Sequence, residues 1–342
     1  MISVLVVDDS AFMRKMISLI ISSDTELNVC GVAKNGIEAV EKAISLKPDV
    51  ITMDVDMPEM DGITALKTIM REAPTSVVML SALTKKGSEL TMEALESGAV
   101  DFITKPSGTI SMDIDRIKDE LITKIKVAST AKRIRKSAKT NPIEYKFSSE
   151  TKKAVIIVTS TGGPSTLSLL IPRLSKGIPA SIFVVQHMPP GFTQPFAERL
   201  NVISQLPVKE ASDSEMIREG VVYLAPGGFH MIIELNQDRK EVVHLNLEPP
   251  VFGLRPYADY TISSIVDIYR EKTICVILTG MGEDGTNGAK YVKKHNGKVF
   301  AEDEKDCVVY GMPRSAVRAG AVDEIVPLDL IPKKIMDAVN SN

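Results

Sequence analysis

The sequence lacks the features that would place it in a membrane, a secretory pathway or a disulfide framework. No uncharged apolar run approaches the ~18 to 20 residues that cross a bilayer, and the first such run, Val4 to Val7, stops at Asp8 and Asp9. The absence of a basic start and a cleavage region argues against a signal peptide and makes the cytoplasm the expected address. Cys30, Cys275 and Cys307 are odd in number and far apart, with no C-x-x-C spacing. They are expected as buried free thiols, not as disulfides or a zinc knuckle. The signature of disorder is missing too, because 44% of the residues are hydrophobic and 25% charged. At roughly 150 residues per domain, the 342 residues suggest two compact domains.

Neither charge sign dominates overall, since the formal charge is −3. That value averages an uneven chain: residues 124–153 hold ten Lys or Arg against two Glu, a local +8, which leaves −11 elsewhere. The basic stretch carries no interleaved aromatics and no nucleic-acid-binding module, so it reads as a solvated linker at about 130–152 and nucleic acid is not expected as a partner.

Before it, short apolar runs alternate with amphipathic stretches. The runs are Val4 to Val7, Val29 to Ala33, Val50 to Met53, Val77 to Leu80 and Val100 to Ile103, and Ile37, Val40, Ala43 and Ile44 recur at helical spacing between two of them. Five strands alternating with helices predict a parallel sheet covered on both faces. A last helical pattern starts near Asp113 and fades at Lys132–Lys136, before Asn141-Pro142. A second alternating region has strand candidates at Ala154 to Val158, Ile182 to Gln186, Val221 to Leu224, Ile274 to Leu278 and Lys298 to Ala301. His230 to Leu235 and Val242 to Leu247 flank a polar turn and read as a hairpin. The fold class is therefore α/β with two doubly wound parallel-sheet domains, the second carrying an antiparallel hairpin. The expected division is 1–122, a helix end and linker at 123–152, and 153–342.

In the first region Asp8, Asp9 and Asp54 follow strands that are neighbours in a sheet of order 2-1-3-4-5, so their carboxylates converge at its carboxyl edge. Clustered negative charge is costly without a hard cation, and magnesium suits such oxygens. Ser81 and Lys105 end two further strands, where a hydroxyl and an ammonium suit a phosphoryl group. The plainer alternative is that the Asp pair caps a helix.

The second region offers two readings. Gly280-Met281-Gly282-Glu283-Asp284-Gly285 matches G-x-G-x-x-G after a strand, with Glu302 and Asp303 about 20 residues on, as a dinucleotide site would have. Alternatively, Ser160 in Ser160-Thr161-Gly162-Gly163-Pro164 is a nucleophile at a strand end, beside the N–H groups of a helix start. His187 at the next strand end would be its base and Asp284 the carboxylate that orients the imidazole. Each residue alone also fits a cap or a turn, and what unites them is the carboxyl edge of one sheet. His230 and Arg255 are candidates for lining a cleft, or equally for supporting the fold. No His, Cys and Asp cluster here has metal-ligand spacing, so no cofactor is expected in this domain.

Residues 2–120 resemble the response-regulator receiver family through Val7-Asp8-Asp9-Ser10, Asp54, Met57 to Gly62, Ser81-Ala82 and Lys105-Pro106. That resemblance implies phosphorylation of Asp54 by a histidine kinase. It also implies magnesium held by Asp9, Asp54 and the Asp56 carbonyl, with Asp8 acting through water, and a relay through Ser81, Phe102 and Lys105. Residues 154–340 resemble the chemotaxis receptor methylesterases (CheB type). The match runs through Ser160 to Pro164, Gln186 to Thr193, Ala225-Pro226-Gly227 with His230, Arg255-Pro256, Thr279 to Gly285 and Val308 to Pro313. It implies hydrolysis of glutamate 5-methyl esters on chemoreceptor helices, with the Met281 N–H as oxyanion donor. The helix start at Thr161 is a second candidate donor. Some members also deamidate receptor glutamines. A monomer not inserted in the membrane, whose unphosphorylated receiver covers the catalytic face, is the expected arrangement. The chain departs from the family at Val158 and Thr159, where Gly and a small residue are usual, and a Val on a strained elbow would crowd the serine.

Overall fold

The computed structural model describes residues 1–105, 114–131, 142–148 and 152–341, and it divides into two units, Met1–Arg133 and Ile134–Asn342. Pro106, Asp113, the basic run 132–136 and Asn141 lie outside the described residues. Among those described, no helix is long and apolar enough to cross a membrane.

The first unit alternates β1 (Ile2–Val7), α1 (Ala11–Ser22), β2 (Leu27–Ala33), α2 (Gly36–Leu46), β3 (Val50–Asp54), α3 (Gly62–Glu72), β4 (Ser76–Ser81), α4 (Lys85–Glu96), β5 (Asp101–Thr104) and α5 (Ile114–Thr130). All strand pairs are parallel, in the order β2-β1-β3-β4-β5. Val4 to Val7 and Val77 to Leu80 are buried because helices cover both sheet faces. Side-chain caps start the helices: Ser10 accepts from the Met13 N–H, Asn35 from Glu38, Asp61 from Thr64 and Thr84 from Gly87. In α2 the inward face is made of Gly36, Ala39 and Ala43, while Ile37 and Ile44 are exposed. Small residues face inward because α2 lies close against its neighbours. A Cβ on Gly36 would stand 2.6 Å from the Met60 carbonyl oxygen. The strand order reverses between β1 and β3, which opens a crevice at their carboxyl ends.

The second unit contains β6 (Lys153–Thr159), α6 (Gly163–Leu170), β7 (Ala180–Gln186), α7 (Thr193–Ile203), β8 (Val208–Glu210), β9 (Val222–Leu224), β10 (His230–Leu235), β11 (Glu241–Asn246), α8 (Ala258–Tyr269), β12 (Thr273–Ile277), α9 (Thr286–Lys294), β13 (Lys298–Glu302), α10 (Met312–Arg318), β14 (Glu324–Val326) and α11 (Ile331–Asn340). Seven strands form one parallel sheet in the order β14-β13-β12-β6-β7-β9-β8, and β10 and β11 pair as a separate antiparallel hairpin. The three-residue strands β8 and β14 escape sequence reading because they are too short to show a period. The hairpin is tied to α8: Thr261 Oγ1 donates to the Met231 carbonyl at 2.6 Å, and the Ile233 N–H donates to Ser264 Oγ at 3.0 Å. This sheet reverses between β6 and β12, so its crevice opens where Ser160 and the loop 278–285 emerge.

Part of the stretch read as a linker is bonded to the second unit. Residues 142–148 lie along the second unit, where the Ile143 N–H donates to the Arg173 carbonyl at 3.2 Å, Tyr145 Oη to Asp337 at 2.9 Å and the Ser148 N–H to Asn340 at 2.7 Å. Ile143, Tyr145 and Phe147 are half-buried while the residues between them are exposed. This period of two marks an extended segment with one face covered. Of the cysteines, Cys275 and Cys307 are buried and Cys30 is half-buried; all three are free.

Candidate active site

Ser160 follows β6 directly. Its turn is held through the backbone: its N–H donates to the Thr279 carbonyl at 3.0 Å, and its carbonyl accepts from the Gly163 N–H at 2.8 Å and from Gln186 Nε2 at 3.0 Å. The left-handed conformation that sharpens the turn falls on Gly162, with φ of 80°, and there a Cβ would strike Val308. Val158 stays within the strand, buried and in register with Val185 and Ile277, and Thr159 Oγ1 donates to the Thr279 carbonyl at 2.8 Å. The departure from the family at 158 and 159 therefore falls upstream of the strained residue and does not crowd the serine.

His187 follows β7, with its N–H on the Thr159 carbonyl at 3.1 Å, so it is the register neighbour of Ser160 across the sheet edge. Gln186 Nε2 donates to both the Ser160 and the His187 carbonyls, each at 3.0 Å. His187 Nε2 stands 2.6 Å from Asp284 Oδ2, while its Nδ1 is buried and has no hydrogen-bond partner.

Asp284 is 3% exposed and sits at the N-terminus of α8. Its carboxylate accepts from the Ala258 N–H at 2.7 Å, the Asp259 N–H at 3.1 Å and the Gly285 N–H at 2.8 Å. Unpaired amides at a helix start are where a negative side chain is favoured. Asp259, beside it, accepts from the Gly288 N–H at 2.7 Å, and burial, with the Asp284 charge adding to it, pushes its carboxyl up.

The 278–285 loop touches the serine directly. A Cβ on Gly280 would lie 2.8 Å from Ser160 Cβ, so only glycine permits this approach. Gly280 also pairs with Tyr310, and Met281 next to it is exposed. Thr161 is buried at the start of α6. Glu302, which the dinucleotide reading would place on a ribose, is 0% exposed, and its Oε2 accepts from the Thr279 N–H at 2.7 Å. Asp303 accepts from the Lys305 N–H. The glycines thus serve the serine and the start of α9, and the acidic pair faces no open phosphate loop.

His230 and Arg255 are both engaged by backbone carbonyl groups. His230 is fully buried, with Nε2 3.3 Å from the Pro249 carbonyl, and Arg255 donates from Nη1 to the Leu247 and Glu248 carbonyls. They secure the loop that leads into α8. Thr279 and Gln186 fall within the motif matches but carry no role in the sequence reading, and the first turn of α8 is not marked by it at all, because their parts are played by backbone groups or by contacts between distant strand ends.

In the first unit Asp8, Asp9 and Asp54 each offer a carboxylate oxygen, all within 4.8 Å of one another. Lys105 Nζ lies 2.7 Å from both Asp8 and Asp54. Burial pushes the Asp54 carboxyl up to about 6, and the neighbouring aspartates add to this against the pull of Lys105. Ser81 is buried and donates to the Gly87 carbonyl at 3.1 Å. Phe102 is buried with Lys124 Nζ over its ring at 5.4 Å. The Asp56 side chain is exposed, 3.6 Å from Lys86.

A family model described as CheB methylesterase matches residues 155–335, and one described as response regulator receiver domain matches residues 4–114. The chain is 49% identical to a protein-glutamate methylesterase/protein-glutamine glutaminase of Thermotoga maritima, over 99% of this chain and 98% of the relative. It is 46% identical to a protein of the same description from Pyrococcus abyssi, over 99% and 94%. The crystal structure of the Thermotoga maritima CheB methylesterase catalytic domain covers 55% of this chain and 98% of its own, at 48% identity and a TM-score of 0.53. With a receiver domain ahead of the esterase region, the chain belongs to the CheB methylesterase family.

Proposed function

We propose that this protein hydrolyses glutamate 5-methyl esters on chemoreceptors to glutamate and methanol, through Ser160, His187 and Asp284, under control of phosphorylation at Asp54. The observation that carries the catalytic reading is the 2.6 Å contact between His187 and Asp284, buried beside the Ser160 turn at the sheet's switch point. With the Nε2 proton directed at Asp284, Nδ1 is the imidazole atom left to take the Ser160 proton. The serine oxygen then bonds to the ester carbonyl carbon. The Met281 N–H, with the α6 start at Thr161, stabilises the negative charge that develops on the carbonyl oxygen. Collapse of the tetrahedral adduct breaks the ester bond, and methanol leaves with the proton from His187. Water, deprotonated by His187, then attacks the acyl-serine and releases the glutamate carboxyl and Ser160. Glutamine deamidation would follow the same course, with ammonia leaving.

In the receiver, Asp9, Asp54 and the Asp56 carbonyl, with Asp8 through water, would hold magnesium. Three convergent carboxylate oxygens with one lysine between them suit a hard divalent cation, which neutralises charge as phosphate arrives on Asp54. Ser81 and Lys105 then engage the phosphoryl oxygens and Phe102 responds to the shift. This lifts the receiver's inhibition of the esterase. A histidine kinase is the physiological donor.

Methanol release from methylated receptor membranes, measured with and without a small-molecule phosphodonor, tests chemistry, substrate and control together. Release should rise severalfold with donor in the wild type and stay at the basal rate in Asp54→Asn; an equal rise in both would overturn control through Asp54.

The acid cluster gives a separate stability prediction. The raised Asp54 value means that the folded state binds its proton more tightly than the unfolded chain does. The stability this contributes is full below about pH 4 and is lost as pH rises through about 6. At pH 7 the ionised group costs on the order of 2–3 kcal/mol. Magnesium should therefore raise the receiver's melting temperature in the wild type. Asp54→Asn should raise it in metal-free buffer at pH 7, with a smaller gain at pH 5 and little response to magnesium. Thermal unfolding with and without magnesium reads all of these.

A further inference from the structure

Glu302 is a fully buried carboxyl that the mechanism above does not use. It ends β13, and its Oε2 accepts from the Thr279 N–H at 2.7 Å, while Oε1 is buried without a hydrogen-bond partner. Thr279 joins the two halves of the esterase centre. Its carbonyl accepts from the Ser160 N–H and from Thr159 Oγ1. Its hydroxyl donates to the Thr161 carbonyl at 3.0 Å and accepts from the Val309 N–H at 2.9 Å. One residue further on, Gly280 packs on Ser160, and the same loop carries Met281 and Asp284. Glu302 is thus the anchor behind the residue that joins nucleophile turn to oxyanion loop.

We propose that the buried Glu302 carboxyl is a positioning group for the esterase centre, acting through Thr279 on both the Ser160 turn and the 280–285 loop. The inference rests on the esterase reading of that site. No cation among the described residues pairs with Glu302. The titratable groups that face it are Asp303, Asp306 and Cys307 from the loop after β13, and the loop after β12 contributes the Thr279 amide. Burial pushes the carboxyl up to about 8, with the Asp306 and Asp303 charges adding to it. The neutral acid is therefore the form that holds Thr279 at pH 7. Ionisation above pH 8 would leave a charge in an interior with only the Thr279 amide and the weakly donating Cys307 thiol to solvate it, and the loop would shift to relieve it.

The experiment compares methanol release by phosphodonor-treated full-length wild type, Glu302→Gln and Ser160→Ala between pH 6 and pH 10. Gln reproduces the shape and acceptor of the neutral acid and cannot ionise. Wild type and E302Q should agree within about twofold at pH 7. The wild-type rate should then fall on an alkaline limb near pH 8 that E302Q lacks, so the ratio of the two grows about tenfold by pH 9, as expected one pH unit above a controlling pKa. Both proteins carry the same receiver, so pH effects on Asp54 cancel in the ratio. A constant ratio across the range, or an E302Q rate at pH 7 more than tenfold below wild type, would overturn the proposal. Ser160→Ala separates the two readings: if it stays active, the esterase assignment itself is wrong, whatever the Glu302 profiles show. Infrared titration of wild type against E302Q gives a readout independent of activity, through a protonated-carboxyl band that disappears near pH 8 only in the wild type.

Discussion

Replacing Ser160 by alanine is expected to lower methanol release by at least about 10⁴-fold, with the melting temperature unchanged. The size follows from serine hydrolases in general, where removing the nucleophile alone costs as much as removing the whole triad, about 10⁶ in kcat, and leaves only the contribution of binding and oxyanion donors. The unchanged fold follows from this structure. The bonds that hold the Ser160 turn come from its own N–H and carbonyl, paired with Thr279, Gly163 and Gln186, and alanine keeps them all. Circular dichroism and thermal unfolding would establish the fold, and a methanol assay on methylated receptor the rate. Activity within tenfold of wild type would remove Ser160 from the mechanism.

At Asp284, two substitutions should separate chemistry from architecture. Asp284→Asn keeps the Oδ1 acceptor for the amides of Asp259 and Gly285 and gives up only the Oδ2 bond from Ala258, so the start of α8 remains largely capped. Its amide nitrogen, turned toward His187, cannot accept the Nε2 proton. The imidazole then favours the Nδ1–H tautomer, which has no lone pair facing the serine, and a loss of about 10⁴ in kcat is expected. Asp284→Ala should lose a similar factor and destabilise the esterase unit as well, by about 1–3 kcal/mol, because it strips an acceptor from three buried amides. Kinetics and melting temperatures of the pair give the test. Two variants equally stable and equally active would mean that Asp284 serves neither purpose.

The two sheets were legible in the sequence because their central strands are continuous Val- and Ile-rich runs, covered on both faces and separated by helix-length segments. The places of Asp8, Asp54, Ser160 and His187 at strand ends, and of Asp284 in the loop that follows β12, were legible for the same reason: a strand's end announces what stands at the sheet edge. Other features depend on what lies across the sheet. Of the inward face of α2, hydrophobic spacing found Ala43 but neither Gly36 nor Ala39, since closeness of packing rather than apolarity selects them. Glu302 looked like a ligand for a sugar because of its distance from a glycine motif, yet the parallel pairing of Ile277 with Ala301 brings it to the Thr279 amide instead. Arg255 and His230 carried polar side chains that suggested a cleft, and carbonyl groups of the 247–249 segment absorb them.

The docking of residues 142–148 on the esterase unit changes how much chain lies between the described parts of the two units. A tether running from 130 to 152 would span up to about 75 Å when extended, but with the 142–148 segment fastened only 132–141 remain between the described parts, about 35–40 Å at most. Tyr145 and Ser148, far from either site in sequence, therefore set how many residues separate the described parts of the two units.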